Sequence, residues 1–284
     1  MIKILVDSAS DIDECEAARL GVSLIPMSIR FGDKEYADGV DLSHREFFEK
    51  LIESDELPQT SQINDARFEE RFAELTKNGD DVIAIVISSK LSGTYECACR
   101  AAERFGGRVR VVDSLNASAG ERILCMYAVK LVNEGLLDID GAVARLEEKK
   151  ADIRFLALLG TLEYLKKGGR ISAAVAVAGE LFSIKPVISV SNGEIKMLGK
   201  AMGSRRGSNL LTKFVDRFGV NFDMPYALVY SGLNDELLRK YISDSERLWS
   251  GKAEGLPSYM LGSTVGTHIG PGAIGVAFFA EHGD

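Results

Sequence analysis

The chain is short of the residues and motifs that mark several common classes of protein. Its four cysteines show neither the spacing of a metal site nor that of a redox pair, and they indicate no disulfide framework. No apolar run approaches the length that spans a bilayer, and the opening MIKILVDSAS has too short an apolar core for a signal peptide. Internal repeats and low-complexity tracts are absent as well. We therefore expect a cytoplasmic globular protein with no stable membrane insertion.

Signatures of several enzyme classes are also missing. The chain has no Gly-x-Ser-x-Gly elbow, no P-loop and no His-Glu-x-x-His helix, and ILVDSAS lacks the paired aspartates of an aspartyl-phosphate phosphatase. The formal net charge of −8 argues against a nucleic-acid partner. We predict neither a metal site nor a cofactor, and no nucleic acid among the partners.

What the sequence does contain is an alternation of predicted strands and helices. In residues 1–150, apolar runs such as DVIAIVIS, typical of strands buried on both faces, alternate with helical patterns. This order predicts a mostly parallel sheet with flanking helices. The second half adds a hairpin at Asn192-Gly193 and several short strands, which predict a mixed sheet. We therefore predict an α/β protein of two domains, residues 1–153 and 154–284.

Two clusters of hydroxyl side chains lie in predicted loops of the first half. Ser92, Gly93 and Thr94 follow the strand DVIAIVIS at the start of a predicted helix, where free N–H groups and the helix dipole favour an anion. Thr60 and Ser61 lie between two predicted helices. Taken alone, each cluster is more typical of an ordinary helix cap or capped loop than of a binding site.

An arginine and a histidine stand out in the second half. Arg170 follows LEYLKKGG and is predicted to open an Ala- and Val-rich helix, where a cation opposes the dipole and needs an anionic partner. His268 is one of three histidines, and it lies with Thr267 among glycines just before an apolar strand. We predict that its ring faces an acidic head group, directly or through a hydroxyl; a packed histidine is the ordinary alternative.

Six motifs, taken in order, resemble the pattern of the DegV family: ILVDSASDI, LPQTSQI, ISSKLSGTYECA, VVDS, LEYLKKGGRIS and VGTHIGPGAIGV. They extend over nearly the whole chain. The resemblance implies a two-domain α/β protein that holds one long-chain fatty acid in an apolar tunnel between its domains. It further implies a partner, a fatty-acid kinase, to which the acid is presented for acyl-phosphate formation in phospholipid metabolism. One departure is Ile63, because the family usually has proline after Thr-Ser-Gln.

The resemblance also implies roles for individual residues. The contacts to the fatty-acid carboxylate fall on Thr60 and Ser92, and His268 and Arg170 belong to the hydrogen-bond network around them. The basic segment that meets the kinase corresponds to Lys200, Arg205 and Arg206. Small side chains in ISAAVAVAGELFSI either leave room for the acyl tail or pack tightly on a sheet. The predicted carboxylate-binding set is Thr60, Ser61, Ser92, Gly93 and His268, with Arg170, Thr94 and Thr267 in support.

Two other functions stay open at the level of sequence. A serine hydrolase or acyltransferase would use Ser92 as nucleophile and His268 as base, with Asp7 or Asp113 as the acid, although the elbow motif is missing. A scaffold or regulator would bind no ligand. We expect no catalysis by the chain itself, and we expect a monomer whose positive stretch around residues 200–206 docks on an acidic partner surface.

Overall fold

A four-stranded parallel sheet organises the first half of the chain. A computed structural model of the protein describes residues 1–54, 56–171 and 184–282. Val82 and Ala84 face one side of this sheet and Ile83 and Ile85 the other, and all four are buried. All its strand pairs in the described residues are parallel, which confirms the mostly parallel sheet predicted from the sequence. Its strands are β1 (Ile2–Asp7), β2 (Ser23–Ile25), β6 (Asp81–Val86) and β7 (Val109–Asp113), in the order β2-β1-β6-β7.

A small antiparallel sheet is inserted between β2 and β6. It consists of β3 (Ser28–Phe31), β4 (Lys34–Ala37) and β5 (Gln59–Ser61), in the order β4-β3-β5. The sequence favoured a loop at β5. The structure has a strand there because β3 supplies its backbone partners, with Ile29 opposite Thr60. No local pattern shows such a partner, since three polar residues carry little strand signal of their own.

Helices cover both faces of the parallel sheet. Two of them, α3 and α4, bury one face, and α5 packs on the other and also contacts the mixed sheet described next. The helices of this half are α1 (Glu14–Leu20), α2 (His44–Glu53), α3 (Asp65–Thr76), α4 (Thr94–Ala102), α5 (Ala119–Glu134) and α6 (Ile139–Lys149).

The second half of the chain forms a six-stranded mixed sheet, as predicted. Among its described strand pairs, only the outer pair of β11 and β12 is parallel. The predicted hairpin joins β9 to β10 through Asn192 and Gly193, both of which have positive φ, as a tight two-residue turn requires. The strands are β8 (Ile153–Leu158), β9 (Ile184–Ser191), β10 (Glu194–Met202), β11 (Tyr226–Tyr230), β12 (Ser258–Met260) and β13 (Ile274–Phe279), in the order β10-β9-β8-β13-β11-β12.

Four further helices complete the described part of this half: α7 (Glu163–Lys167), α8 (Gly203–Phe218), α9 (Glu236–Asp244) and α10 (Ser263–Ile269). The side chains of α8 and α9 cover the outer face of the mixed sheet. His268 lies on α10, a short helix that the sequence analysis did not predict in the glycine-containing run before the last strand. The Ala- and Val-rich helix predicted after Arg170, with small side chains that either leave room for the tail or pack on a sheet, falls largely on residues 172–183, outside the described residues.

The two large sheets agree with the predicted α/β class. The boundary between residues 153 and 154 stays a prediction; it would fall at the first residues of β8. No helix in the described ranges is long and apolar enough to cross a bilayer.

Candidate functional site

A cavity of about 230 Å³ lies between the two large sheets. On one side it is bounded by the loops that follow the parallel strands, with Ile87 after β6 and Ala117 after β7. On the other side it is bounded by the inner face of the mixed sheet. The carboxyl ends of parallel strands are where open α/β sheets hold ligands, so this inter-sheet cavity is the candidate site.

The mixed sheet gives the inter-sheet cavity an apolar wall. Ile188, Ala157, Gly275 and Val229 lie opposite one another on four neighbouring strands, and all four line the cavity. The two middle positions carry little or no side chain. A Cβ added at Gly275 would lie 2.8 Å from the Phe155 ring and 3.0 Å from Val229. The small residues in the middle of this row therefore create the space between the larger ones.

The predicted head-group residues meet at the inter-sheet cavity, although they come from four separate segments. The closest link is between Thr60 Oγ1 and His268 Nε2, which are 3.0 Å apart. Whether these residues bind a carboxylate stays a prediction, but their convergence is an observed feature of the fold. The predicted residues that line the cavity are Thr60, Ser61, Ser92, Gly93, Arg170 and His268.

Thr94 links the segment after β5 to the loop that carries Ser92, and it does not line the cavity. Its Oγ1 lies 2.9 Å from Ser92 Oγ, and it accepts the backbone N–H of Ile63 at 3.4 Å. Proline has no N–H, so a proline at position 63 could not make the bond that Ile63 makes. The segment that follows β5, the strand of Thr60, is thus tied to the loop that carries Ser92.

Gln62 is a lining residue that the sequence reasoning did not assign to the site. Its amide covers Gly93 so closely that a Cβ at Gly93 would lie 2.3 Å from Oε1. The Nε2 group donates to Cys97 Sγ at 3.2 Å. The only sequence signal was its place beside Thr60 and Ser61 in one polar run.

His268 is held as a neutral imidazole. Burial, with a smaller contribution from the nearby Arg170 charge, lowers its pKa from 6.5 to about 4. Its Nδ1 is buried and has no hydrogen-bond partner among the described residues. A Cβ at Gly168 would lie 2.2 Å from that nitrogen, so only glycine fits beside the ring. The site therefore combines neutral hydroxyls with a neutral ring.

The remaining predicted residues have other surroundings. Thr267 is buried, and its hydroxyl donates to the carbonyl of Ser263 at 2.9 Å, within α10, so it reaches the site only through that helix. Arg170 is exposed at the rim, and its Nη1 donates to the carbonyl of Gly168 at 2.5 Å. The predicted docking residues lie on β10 and the first turn of α8, where Lys200, Arg205 and Arg206 are exposed.

The geometry gives the hydrolase alternative no support. Ser92 is hydrogen-bonded to Thr94, and His268 is hydrogen-bonded to Thr60. No hydrogen bond among the described residues joins Ser92 to His268. Asp7 accepts two backbone N–H groups, each at 2.8 Å, and is therefore a strand-end cap. Within residues 1–54, 56–171 and 184–282, no group of three or more His, Cys, Asp or Glu side chains could hold a metal ion.

The fold and the cavity define an α/β protein in which a parallel and a mixed sheet enclose an apolar space with a polar rim. The family model described as "uncharacterised protein, DegV family" matches residues 1–281, and the chain belongs to this family. A DegV domain-containing protein of Deinococcus radiodurans is 34% identical over 97% of each chain, and one of Caldanaerobacter subterraneus is 30% identical over 99% of each.

Solved structures show the same fold. A DegV family protein from Thermus thermophilus, described by its fatty acid binding, has a TM-score of 0.85 and 29% identity, with 98% of this chain and 99% of that chain covered. DegV from Bacillus subtilis, described as a fatty acid binding protein, has a TM-score of 0.79 and 26% identity, with coverage of 97% and 98%.

Proposed function

We propose that this protein binds one long-chain fatty acid in the inter-sheet cavity, with the carboxylate held by Thr60, Ser92 and His268. The observation that carries the proposal is the convergence of these polar groups on an otherwise apolar space. The fatty acid binding described for the relatives from Thermus thermophilus and Bacillus subtilis supports it. Ser61 and the backbone of Gly93 complete the head-group set, and Arg170, Thr94 and Thr267 support it.

Burial of the acyl tail supplies most of the affinity. About 15 methylene groups at ~0.8 kcal/mol each contribute roughly 12 kcal/mol before ordering costs. The head group therefore needs orientation more than additional attraction. Neutral hydroxyls and a neutral ring orient a carboxylate without locking it in a buried ion pair, which would carry a large desolvation penalty.

The pairing of Thr60 with His268 suits this task. If Nε2 carries the ring proton, it donates to Thr60 Oγ1, and the threonine proton is then free to point at a carboxylate oxygen. The buried Nδ1 would be a lone pair rather than an unpaired N–H in that tautomer. In this arrangement the ring donates to the Thr60 hydroxyl, and the hydroxyl in turn donates to the carboxylate.

Native mass spectrometry of the purified protein tests the proposal. We expect an adduct with the mass of a C16 to C18 fatty acid and a reduced occupancy in Ser92→Ala. Ser89→Ala is the matched control, because Ser89 lies in the same loop but does not line the cavity. Protein that carries no acid and takes up no added oleate would instead favour the scaffold function.

We further propose that the bound acid is presented to a fatty-acid kinase without catalysis by this chain. A loosely held carboxylate stays available to a second protein, and exposed Arg205 and Arg206 offer a positive surface for docking. With a kinase present, Ser92→Ala should weaken acyl-phosphate formation more than it weakens lipid binding. Equal loss of both would argue against this role.

A further inference from the structure

The N-terminus of α10, the helix that carries His268, is bound by two buried carboxylates. Asp38 accepts the backbone N–H of Ser263 at 3.1 Å and that of Thr264 at 3.0 Å. It also accepts the Thr264 hydroxyl at 2.6 Å. Asp11 accepts the N–H of Gly262 at 2.8 Å. Three successive backbone donors at the start of this helix are thus satisfied by side chains from remote segments.

These carboxylates cap α10, which has no side chain of its own that caps its N-terminus. The helix has seven residues, and its N-cap is Gly262, which has no side chain to accept a hydrogen bond. Free N–H groups in the first turn are costly when buried. A carboxylate at a helix N-terminus also interacts favourably with the helix dipole. The start of α10 is therefore defined by Asp11 and Asp38.

Both aspartates are themselves fixed in place. Asp38 is fully buried, and its backbone N–H donates to the carbonyl of Met27 at 2.9 Å. The other carboxylate oxygen of Asp11 accepts a hydrogen bond from the Ser118 hydroxyl, and the Asp11 carbonyl accepts one from Arg122 at 3.0 Å. The two anchors belong to the first half of the chain, whereas α10 belongs to the second.

The rest of α10 has little freedom to shift. A Cβ at Gly266 would lie 2.7 Å from the Phe47 ring, and one at Gly270 would lie 2.2 Å from the Tyr164 ring. The helix is therefore packed closely on both neighbours. Because it is so short, a rotation or slide at its N-terminus would move the ring of His268, four residues after Thr264, away from Thr60.

We propose that Asp38, together with Asp11, is a positioning residue that aims the His268 ring at Thr60. Neither aspartate touches the inter-sheet cavity. The consequence for ligand binding rests on the proposed function, but the aim of the ring is a property of the ligand-free protein. The sheet loops of the first half would thus control head-group geometry through a helix of the second half.

Nitrogen-15 NMR of the histidine rings in delipidated protein tests this directly, with Asp38→Asn as the main variant. The amide keeps one acceptor oxygen but loses the second, which accepts from both groups of Thr264. We expect the His268 Nε2 signal to shift, its pKa to move from about 4 toward 6.5, and oleate affinity to fall about tenfold. Thr264→Val, which removes only the hydroxyl bond, should shift the ring signal in the same direction if Asp38→Asn fails to fold.

Asp7→Asn is the matched control. Asp7 is also a buried carboxylate that accepts two backbone N–H groups, but its partners are Ala9 and Ile87 rather than α10. Loss of stability with an unchanged His268 signal is expected there. An unchanged ring signal in both Asp38→Asn and Thr264→Val would overturn the proposal. If the ring signal shifts as expected but the wild-type protein binds no oleate, the proposed function fails while the positioning role stands.

Discussion

Among single residues, Glu121 has the least ordinary surroundings. Its carboxyl is fully buried on the first turn of α5, and neither oxygen has a hydrogen-bond partner among the described residues. Burial raises its pKa well above the ordinary value of 4.5, and the nearby carboxyls of Asp7 and Asp11 raise it further. The folded protein therefore holds the Glu121 proton to a higher pH than the unfolded chain does.

This burial makes stability depend on pH. Well below pH 4.5 Glu121 is protonated in both the folded and the unfolded state, so its ionisation does not change the free energy of unfolding. Above that pH the unfolded chain releases the proton and the folded protein keeps it. The free energy of unfolding then falls by about 1.4 kcal/mol for each pH unit, until the pKa of the folded state is reached.

We predict that Glu121→Gln is more stable than the wild-type protein at pH 8 and that the difference shrinks as pH falls toward 4.5. The amide has a similar shape and no proton to lose, so it removes the penalty. Urea denaturation at several pH values measures the difference. Glu134→Gln, at the exposed end of the same helix, should change little at any pH. A difference that does not vary with pH would contradict the prediction.

At the level of elements, the start of α8 is unfavourable for its own helix. Arg205 and Arg206 lie in the first turn, which holds no acidic residue, so two cations lie near the positive end of the helix dipole. Met202, just before the helix, is 53% exposed. A charged turn that opposes helix stability suits a docking surface better than a purely structural role.

We predict that Arg205→Glu combined with Arg206→Glu abolishes acyl-phosphate formation by a fatty-acid kinase and leaves the bound fatty acid in place. The same change should raise thermal stability slightly, because acidic residues suit a helix N-terminus. A loss of acyl-phosphate formation could then not be attributed to unfolding of the variant. Lys213→Glu, also exposed on α8, is the control. Normal phosphorylation in the double variant would place the docking surface elsewhere.

At the level of the whole molecule, the inter-sheet cavity depends on β13, whose alternate residues lie on the two faces of the mixed sheet. The side chains of β13 alternate between the cavity side, with Gly275 and Ala277, and the outer core, with Val276 and Phe278. The cavity is therefore open where the sheet carries its smallest residues. Filling that row should close it without disturbing the outer core.

We predict that Gly275→Val lowers fatty-acid occupancy or shifts it to shorter acids. A Cβ at position 275 would lie 2.8 Å from the Phe155 ring and 3.0 Å from Val229, which is too close. Both neighbours line the cavity and must shift, so the shape of the cavity must change. Native mass spectrometry reports the mass and the fraction bound. Val276→Ile, which adds one methylene to the opposite face of the same strand, controls for overpacking alone. Unchanged occupancy and chain length in Gly275→Val would show that the tail lies elsewhere.

Local signals in the sequence determined much of the architecture. The run DVIAIVIS forms β6 with both faces buried, and Asn192-Gly193 forms the predicted turn. Hydrophobic periodicity and turn residues are properties of short segments, so such elements can be predicted without knowledge of the rest of the chain. The six family-like motifs likewise identified which polar residues to look for, although not what holds them.

Tertiary structure alone decided the geometry of the site. Thr60 and His268 are 208 residues apart in sequence and hydrogen-bonded in the fold. β5 is a strand because β3 pairs with it, and α10 is capped by Asp11 and Asp38 from the other half of the chain. Hydrogen-bond partners and burial come from segments that meet only on folding, so no local pattern could have revealed them.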